Sequence, residues 1–441
     1  MKNLLEKTFK LSENKTTVRR ELIAGLITFL TMSYILIVNP NILSTTGMDK
    51  DALFTATALA TIFATLMMAL YAKLPIAQAP GMGLNAFFAF TICGVMGYSW
   101  QFALTAVFLE GIIFILLTFF NVRELIVKSI PKVLKDAIPV GIGLFIALIG
   151  LKNAGIVVST GSDTLVGLGD FSQHSVWIAL LGLIVTAILY VRNVNGAILI
   201  GIVVATIFAI ILGDVALPEG SIVSAPPSIA PIFAQFEWDH ILSFDMLVVV
   251  FTLLFVNLFD TVGTLIGVVS KAGIADKDGN FPQMKKALFS DALGTTVASI
   301  LGTSTVTAYV ESASGVASGG RTGLTSVSVA FMFILALFFA PLFKMVPGAA
   351  TSPALIIVGL FMISSVAKIN FSDMSEGLPA FLTIIFMPFT YSIAEGIVFG
   401  MLSFAFIKVC AGKSKDVSTT VYVIAVLFLL KIILDATHML G

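Results

Sequence analysis

Charged residues are scarce in this sequence. Only 11% of its 441 residues are Asp, Glu, Lys or Arg, and 58% are hydrophobic, whereas soluble domains carry about 25% charged residues. Apolar runs of roughly 20 residues recur along the chain, which is the length of a helix that crosses a bilayer. These features exclude a soluble globular protein and predict an all-α polytopic protein embedded in a lipid bilayer. The formal net charge is zero, which gives no basis for a nucleic-acid partner.

Cysteine and histidine are also rare. Cys93 and Cys410 fall in apolar stretches, and two such residues supply neither a disulfide framework nor metal-ligand spacing. The three histidines, His174, His240 and His438, fall outside the predicted membrane spans. We therefore expect no metal, no cofactor and no histidine proton carrier within the membrane. Without a metal cluster or a nucleophile paired with a base, the chain is not expected to be an enzyme.

Fourteen transmembrane segments are predicted, seven in each half of the chain. Those of the first half lie near residues 21–43, 51–72, 84–98, 100–121, 138–154, 175–192 and 195–213. Those of the second half lie near residues 245–270, 286–302, 303–319, 325–346, 351–368, 377–392 and 393–411. The final stretch, 421–440, is interrupted by Lys431 and Asp435. We expect an interfacial helix there, and the sequence leaves open whether it spans.

An odd number of segments in each half inverts the second half relative to the first, as in inverted-repeat transporters. The third segment is interrupted by Pro and Gly between Pro75 and Gly83, and the tenth by a Gly-, Ser- and Ala-rich stretch after Glu311. The β-branched run from Thr305 to Val310 predicts a short strand that leads into a half-helix. We therefore predict two inverted seven-span repeats with short strands and half-helices in spans 3 and 10. Breaks at matching positions indicate a binding site near the bilayer midplane.

The distribution of Lys and Arg supports this topology. Most of them, including those of the N-terminal tail and of the basic connector from Arg123 to Asp136, fall on one side of the predicted membrane. Cytoplasmic loops are enriched in these residues. We therefore predict a multi-pass protein of the cell membrane, either plasma or inner membrane, with a cytoplasmic N-terminus.

A few acidic residues fall at predicted membrane depth: Glu110, Asp260, Asp291, Glu311 and Glu395. A carboxylate at the bilayer centre costs about 2.5–3.5 kcal/mol on insertion scales, so each one needs a role. Glu311 precedes the half-helix of span 10, where it either faces a ligand or accepts hydrogen bonds from the free N–H groups of that helix. We interpret Glu110 and Asp291 as internal hydrogen-bonding or relay residues, and Glu395 as a residue near a surface.

A polar stripe runs along the eighth segment. Its residues are spaced at i, i+3, i+4 and i+7 and therefore share one helix face: Asn257, Asp260, Thr261 and Thr264. The stripe either lines a cavity or makes hydrogen bonds to a neighbouring helix. In the third segment, Asn85 either caps its half-helix or faces a ligand.

Three motifs resemble those of a known family. They are QAPGMGLNA at 78–86, FDTVGT at 259–264 and ESASGVASGGRTG at 311–323. Almost the whole chain is similar to the AzgA-like adenine/guanine/hypoxanthine permeases of the nucleobase cation symporter and nucleobase-ascorbate transporter group. The resemblance implies purine uptake by proton symport, with Asn85, Asp260 and Glu311 in contact with the base. In the related uracil permeases, Glu replaces Asp260 and His replaces Thr264, so a mechanism that needs that histidine is not carried over.

The resemblance also implies two domains that move relative to each other in alternating access. The core domain comprises spans 1–4 (residues 1–122) and 8–11 (residues 244–348). The gate domain comprises spans 5–7 (residues 123–243) and 12–14 with the C-terminal interfacial helix (residues 349–441).

A purine base is flat and carries N–H donors and acceptors on its edge, so its site needs fixed polar partners and an apolar slot. Asp260 and Glu311 supply acceptors, and Asn85 supplies both roles. The predicted substrate-binding set is completed by Phe259, Ala86 and Val310. Because burial favours the neutral form of a carboxyl group, Asp260 and Glu311 are the candidates for proton coupling. We expect Glu311 to stay ionised at its helix start and Asp260 to carry the proton.

An alternative is an anion transporter of the same fold, for a sulfate- or bicarbonate-like substrate, because helix N-termini attract anions. Two acids at the site oppose this alternative, since they repel a substrate of like charge. The sequence leaves open which purine is preferred, which acid carries the proton and whether two copies form a homodimer.

Overall fold

The computed structural model describes residues 2–120, 131–161, 166–217, 221–274 and 281–439. Its first half contains nine helices and three short strands among these residues. They are α1 (Lys2–Phe9), α2 (Val18–Met32), α3 (Ile35–Leu43), α4 (Lys50–Met67), β1 (Gln78–Pro80), α5 (Met82–Ala86), α6 (Trp100–Phe119), α7 (Lys132–Asn153), β2 (Val157–Val158), β3 (Gly167–Leu168), α8 (His174–Val191) and α9 (Ala197–Ile211). Wider π-helical turns extend α4 through Met68–Ala72 and α5 through Phe87–Val95.

The second half repeats the pattern of long helices interrupted by one strand and one short helix. Its elements are α10 (Phe244–Lys271), α11 (Met284–Leu301), β4 (Val306–Ala308), α12 (Ser312–Ala317), α13 (Gly323–Leu337), α14 (Ala340–Lys344), α15 (Gly348–Ile363), α16 (Met374–Thr390), α17 (Ile393–Cys410) and α18 (Thr419–Met439). Short 3₁₀ turns lie at Ser44–Thr46, Ser364–Lys368 and Ser414–Asp416.

The all-α membrane class is confirmed. Within the described ranges, eight helices are long and apolar enough to cross a membrane, and five further apolar helices are shorter. The arrangement as fourteen spans in two inverted repeats stays a prediction. Span 5 begins earlier than predicted, because α7 starts at Lys132 within the expected connector. The remainder of that connector, and the predicted domain boundary after residue 122, lie outside the described residues.

The strands predicted in the two broken segments are both present, and they pair with each other. β1 and β4 are antiparallel, with Gln78 opposite Ala308 and Pro80 opposite Val306. Pro80 has no N–H to donate, which is tolerated because this sheet has only two strands and both are edges. The pairing joins the two halves of the chain at the point where each span is interrupted.

Threonine side chains satisfy the outer edges of this small sheet. On one edge, the Thr65 hydroxyl both accepts from the Gln78 N–H and donates to the Gln78 carbonyl, each at 3.0 Å. On the other edge, the Thr295 hydroxyl donates to the Val306 carbonyl at 3.1 Å. Backbone polar groups at membrane depth need hydrogen-bond partners inside the protein. The threonines of α4 and α11 supply such partners and so stabilise the two strands.

The half-helix α12 packs closely against α2 at Gly315, which has no side chain. A Cβ on Gly315 would be 2.1 Å from the Thr28 hydroxyl and 2.6 Å from the Ala24 carbonyl oxygen. The small residues of this segment therefore permit the close packing of helices that is common in membranes.

A fully buried acid, Glu21, lies in the first turn of α2 and caps another helix. Its carboxylate accepts hydrogen bonds from the backbone N–H groups of Arg321, Thr322 and Thr325 and from both threonine hydroxyls. These N–H groups belong to the start of α13, where a negative charge is stabilised. Glu21 is not among the acids predicted at membrane depth.

The C-terminal segment forms one helix, α18, which continues through the interruption at Lys431 and Asp435. Phe428 on this helix contacts Phe251 of α10, with ring centroids 5.6 Å apart. An interfacial position for α18 stays a prediction.

Candidate functional site

A cavity of about 510 Å³ lies beside the β1–β4 sheet. One wall is the backbone around Gly81–Gly83 and the stretch Thr307–Glu311, and a second is the face of α10 from Phe259 to Val268. The third wall is formed by Pro139 of α7 and the end of α15. Both interrupted segments therefore border one cavity, as predicted for a midplane site.

Four of the six predicted substrate-binding residues line this cavity: Phe259, Asp260, Val310 and Glu311. Asn85 and Ala86 are not among its lining residues and are almost completely buried. The Oδ1 atom of Asn85 accepts a hydrogen bond from the Ser304 hydroxyl, whereas Nδ2 has no partner among the described residues. Direct contact of Asn85 or Ala86 with a substrate stays a prediction.

Glu311 is held by a tyrosine and not by the helix that it precedes. Its side chain makes no capping hydrogen bond to α12, which corrects the expectation that free N–H groups of that helix stabilise the carboxylate. Instead, the Tyr34 hydroxyl donates to Oε1 at 2.6 Å. Tyr34 lies at the break between α2 and α3 and is 1% exposed, so it fixes the carboxylate at the cavity wall.

A second tyrosine connects the two interrupted segments. The Tyr309 hydroxyl donates to the Pro80 carbonyl at 2.6 Å, and Tyr309 itself lines the cavity. Beyond the strand pair, this side chain is a further link between the β1 and β4 segments. It holds the backbone of Gly81–Gly83 close to Glu311.

The polar stripe on α10 divides into two functions. Asp260 and Thr264 line the cavity, and Oδ2 of Asp260 accepts from the Thr307 hydroxyl at 3.3 Å. Asn257 and Thr261 are fully buried and contact neighbouring elements. Both interpretations of the stripe are therefore correct, each for half of its residues.

Behind the cavity wall, the buried half of the stripe contacts two further acids. Asn257 Nδ2 donates to Oε1 of Glu110 at 2.9 Å, and the Thr305 hydroxyl donates to the other oxygen of Glu110. The Thr261 hydroxyl lies 3.0 Å from Oδ1 of Asp291. Gln78 Nε2 donates to the same Asp291 oxygen at 3.0 Å. Glu110 and Asp291 therefore make hydrogen bonds inside the protein, as the first of their two interpretations predicts.

Aromatic and apolar side chains form another part of the cavity surface. Phe259 packs against Phe255 on the same helix, with an edge-on arrangement and centroids 4.8 Å apart. Phe361 and Met362 line the cavity from α15. A flat ring between such side chains is stabilised by stacking and by burial of apolar surface.

Sequence reasoning missed several lining residues, notably Tyr34, Thr307 and Phe361. Tyr34 and Thr307 each carry a polar group inside an apolar segment, which is the signal that identified Asp260. Phe361 has no such signal in a chain with 37 Phe residues. In the described part of the chain, no group of three His, Cys, Asp or Glu side chains is placed to hold a metal ion.

Comparisons with known proteins cover nearly the whole chain. The family model Xan_ur_permease, described as a permease family, matches residues 19–399. The adenine permease AdeP of Escherichia coli (strain K12) is 48% identical over 435 residues, which is 99% of this chain and 97% of that protein. The guanine/hypoxanthine permease PbuO of Bacillus subtilis (strain 168) is 44% identical over 96% of this chain and 99% of that protein.

Solved structures with the same fold are more distant in sequence. The transmembrane domain of the cyanobacterial bicarbonate transporter BicA superposes with a TM-score of 0.66 at 16% identity, covering 86% of this chain and 97% of that one. The overall structure of SLC26A9 superposes with a TM-score of 0.63 at 12% identity, covering 93% of this chain and 69% of that one. At these identities the likeness concerns the fold alone.

Proposed function

Because this chain belongs to the permease family matched over residues 19–399, we propose that it carries purine nucleobases across the cell membrane by proton symport. Its relatives AdeP and PbuO are named as permeases for adenine and for guanine and hypoxanthine, and each is matched over at least 96% of both chains. These three bases share one chemistry, a planar ring system with N–H donors and acceptors on the edge. We assign the same substrate class to this chain.

The observation that carries this proposal is that Asp260, Glu311 and Phe259 all line the same cavity. Two carboxylates supply acceptors for the N–H groups of a base, and the phenyl ring supplies an apolar surface for its face. The cavity of about 510 Å³ falls within the usual range of small-molecule sites. Fixed acceptors of this kind select a base with N–H donors over an analogue without them.

The cavity wall also fits the predicted domains. Phe259, Asp260 and Glu311 belong to the proposed core ranges 1–122 and 244–348, whereas Pro139 and Phe361 belong to the proposed gate ranges 123–243 and 349–441. Movement of one set of helices against the other then opens the cavity alternately to the two sides. Such movement around a midplane site is the general mechanism of inverted-repeat transporters.

In this structure the cavity extends to exposed residues at Ser364 and Lys368. The proposed orientation, with the N-terminus in the cytoplasm, places Lys368 on the cytoplasmic side. The described conformation is then open toward the cytoplasm. The proposed protein is a multi-pass carrier of the plasma or inner membrane.

The test is uptake by purified protein in liposomes. Labelled adenine, guanine and hypoxanthine are offered with an imposed proton gradient, an imposed sodium gradient, or neither. Accumulation that follows the proton gradient and disappears with a protonophore supports the proposal. Accumulation that requires sodium and ignores the protonophore contradicts the coupling.

A matched arm of the same experiment offers labelled sulfate and bicarbonate. Uptake of either anion without uptake of purines contradicts the substrate class and supports the anion alternative. Asp260 and Glu311 oppose that result, because a cavity with two carboxylates repels an anion.

A further inference from the structure

The proposed symport requires two incompatible states of one side chain. Asp260 lines the cavity, where it accepts a hydrogen bond from a base N–H best when it is ionised. A proton carrier, however, must hold its proton while the substrate is bound. The structure offers a second acid that resolves this conflict, and the inference below rests on proton symport as proposed above.

Two hydroxyl groups connect Asp260 to that second acid, Asp291, through successive hydrogen-bond distances. The Thr307 hydroxyl is 3.3 Å from Oδ2 of Asp260 and 3.0 Å from the Thr261 hydroxyl. The Thr261 hydroxyl is 3.0 Å from Oδ1 of Asp291. Three elements contribute to the row, because Thr307 lies on β4, Thr261 on α10 and Asp291 on α11.

The two ends of this row differ in their access to the cavity. Asp260 and Thr307 line it, whereas Thr261 and Asp291 do not and are both fully buried. A proton on Asp260 is therefore in contact with the substrate, and a proton on Asp291 is separated from it by two side chains.

We propose that Thr307 and Thr261 form a proton wire that transfers the proton of Asp260 to Asp291 when a purine occupies the cavity. The proton leaves Oδ2 of Asp260 for the Thr307 oxygen, the Thr307 hydrogen passes to the Thr261 oxygen, and the Thr261 hydrogen passes to Oδ1 of Asp291. In each step one O–H bond breaks and one forms, so both hydroxyls end with one hydrogen. Asp260 becomes a carboxylate and Asp291 becomes a neutral carboxylic acid.

Hydroxyl groups suit this task because each one donates one hydrogen bond and accepts others. When Asp260 is ionised, the Thr307 hydroxyl donates to it. When Asp260 is protonated, that hydroxyl accepts instead and turns its hydrogen toward Thr261. The wire therefore has two arrangements of the same heavy atoms, which differ only in the direction of its hydrogen bonds.

The hydroxyl row ends at Asp291. Gln78 Nε2 donates to Oδ1 of Asp291 at 3.0 Å, which keeps this acid ionised before the transfer. The N–H groups of the bound purine then drive the transfer by stabilising ionised Asp260. Glu110 is connected to the row through the amide of Asn257, and an amide does not relay a proton as a hydroxyl group does. The other titratable groups that line the cavity are Glu311, Tyr309, Tyr34 and Lys368.

The consequence is that the proton and the purine are held on different acids of the same group of helices. Ionised Asp260 is then free to accept from the base, while the proton is stored where neither substrate nor water in the cavity contacts it. Both cargoes are present together, as symport requires.

The first test removes each hydroxyl and keeps its shape. Thr307→Val and Thr261→Val interrupt the wire, and Thr307→Ser and Thr261→Ser restore it. Thr295→Val is the matched control, because it removes a hydroxyl that is bonded to the same strand but lies outside the wire. Two activities are measured in liposomes: adenine accumulation driven by a proton gradient, and exchange of labelled for unlabelled adenine at equal pH.

We expect Thr261→Val, whose side chain lies outside the cavity, to keep exchange within about twofold and to lose accumulation by tenfold or more. Thr307→Val should lose accumulation to the same extent, and the serine variants and Thr295→Val should retain both activities. Accumulation by Thr307→Val at the level of the unmodified protein overturns the wire. Equal loss of exchange and accumulation without rescue by serine also overturns it, because it indicates a structural role only.

A second measurement does not depend on transport. Infrared difference spectra are recorded on purified protein when adenine is added at constant pH. A band of a protonated carboxyl group should appear, be absent in Asp291→Asn and be absent in Thr307→Val. If this band appears but the unmodified protein does not respond to a proton gradient, symport fails and the wire stands. If symport is observed and the band persists in Asp291→Asn, the wire fails.

Discussion

The Tyr34 hydroxyl donates a hydrogen bond of 2.6 Å to Glu311 from the opposite half of the chain. Tyr34 lies between α2 and α3 in the N-terminal half, whereas Glu311 follows strand β4, 277 positions later. The acid of the candidate site is thus oriented by a residue from the other proposed repeat.

Replacement of Tyr34 by Phe should weaken purine binding. The change removes one hydrogen bond to Glu311 and leaves the ring in place, and a single hydrogen bond contributes about 0.5–1.5 kcal/mol. We expect the dissociation constant for adenine, measured by calorimetry, to rise by about twofold to tenfold.

The matched control for this change is Tyr422→Phe, which removes a hydroxyl that is bonded to the Ser414 carbonyl on the exposed surface. This variant should bind adenine normally. Unchanged affinity in Tyr34→Phe would mean that Glu311 is not a base contact or does not need this orientation.

The two cavity acids should respond differently to loss of charge. Asp260→Asn should keep part of the purine binding and lose accumulation driven by a proton gradient, because an amide retains an acceptor and cannot carry the proton. Glu311→Gln should lose binding by about 1.5–3 kcal/mol, the contribution of a hydrogen bond to a charged group. Calorimetric binding and proton-driven uptake on both variants distinguish these effects, and the opposite pattern would exchange the two roles.

Glu21→Gln should destabilise the protein without a direct effect on the cavity. The carboxylate accepts five hydrogen bonds at the start of α13, and an amide would turn a donor toward some of these donors. Unsatisfied buried donors cost about 1–3 kcal/mol each. We expect a clearly lower thermal midpoint in detergent.

Glu13→Gln is the control for that experiment, since Glu13 is an exposed acid that pairs with Lys10 on the surface. It should leave the midpoint within about one degree, because exposed ion pairs contribute little. Equal midpoints for the two variants would show that the carboxylate of Glu21 does not stabilise α13.

Gly315→Ala should displace the half-helix that follows Glu311. The added Cβ would lie 2.1 Å from the Thr28 hydroxyl, which is far inside contact distance, so α12 must move away from α2. We expect purine uptake to fall by at least tenfold. Gly348→Ala has open space around the new Cβ and should be nearly neutral. Normal uptake by Gly315→Ala would show that the position of α12 is not critical.

The sequence predicted those features of the site that have a local cause. Gly81 and its neighbours interrupt a helix wherever they occur, and the β-branched run that ends at Val310 favours a strand, so both broken segments were recognised. Asp260 and Glu311 were recognised because a carboxylate in an apolar segment is expensive.

Features that depend on pairing between distant segments were not predictable in this way. Tyr34 gives no sign that its partner is Glu311, and Glu21 gives no sign that it caps α13, since these contacts join the two ends of the chain. Asn85 carried a clear polar signal, but its bond to Ser304 could not be distinguished from a ligand contact without the position of that residue.

The pairing of β1 with β4 also has a consequence for biogenesis. The Tyr309 hydroxyl reaches the Pro80 carbonyl across 229 positions of sequence, so the N-terminal half leaves the ribosome with unpaired backbone groups in its third segment. That half must wait in the membrane, or at the insertion machinery, until its complement is synthesised. Two separately expressed halves should therefore restore a working protein only when produced together, and the N-terminal half alone should be a substrate for quality-control proteolysis.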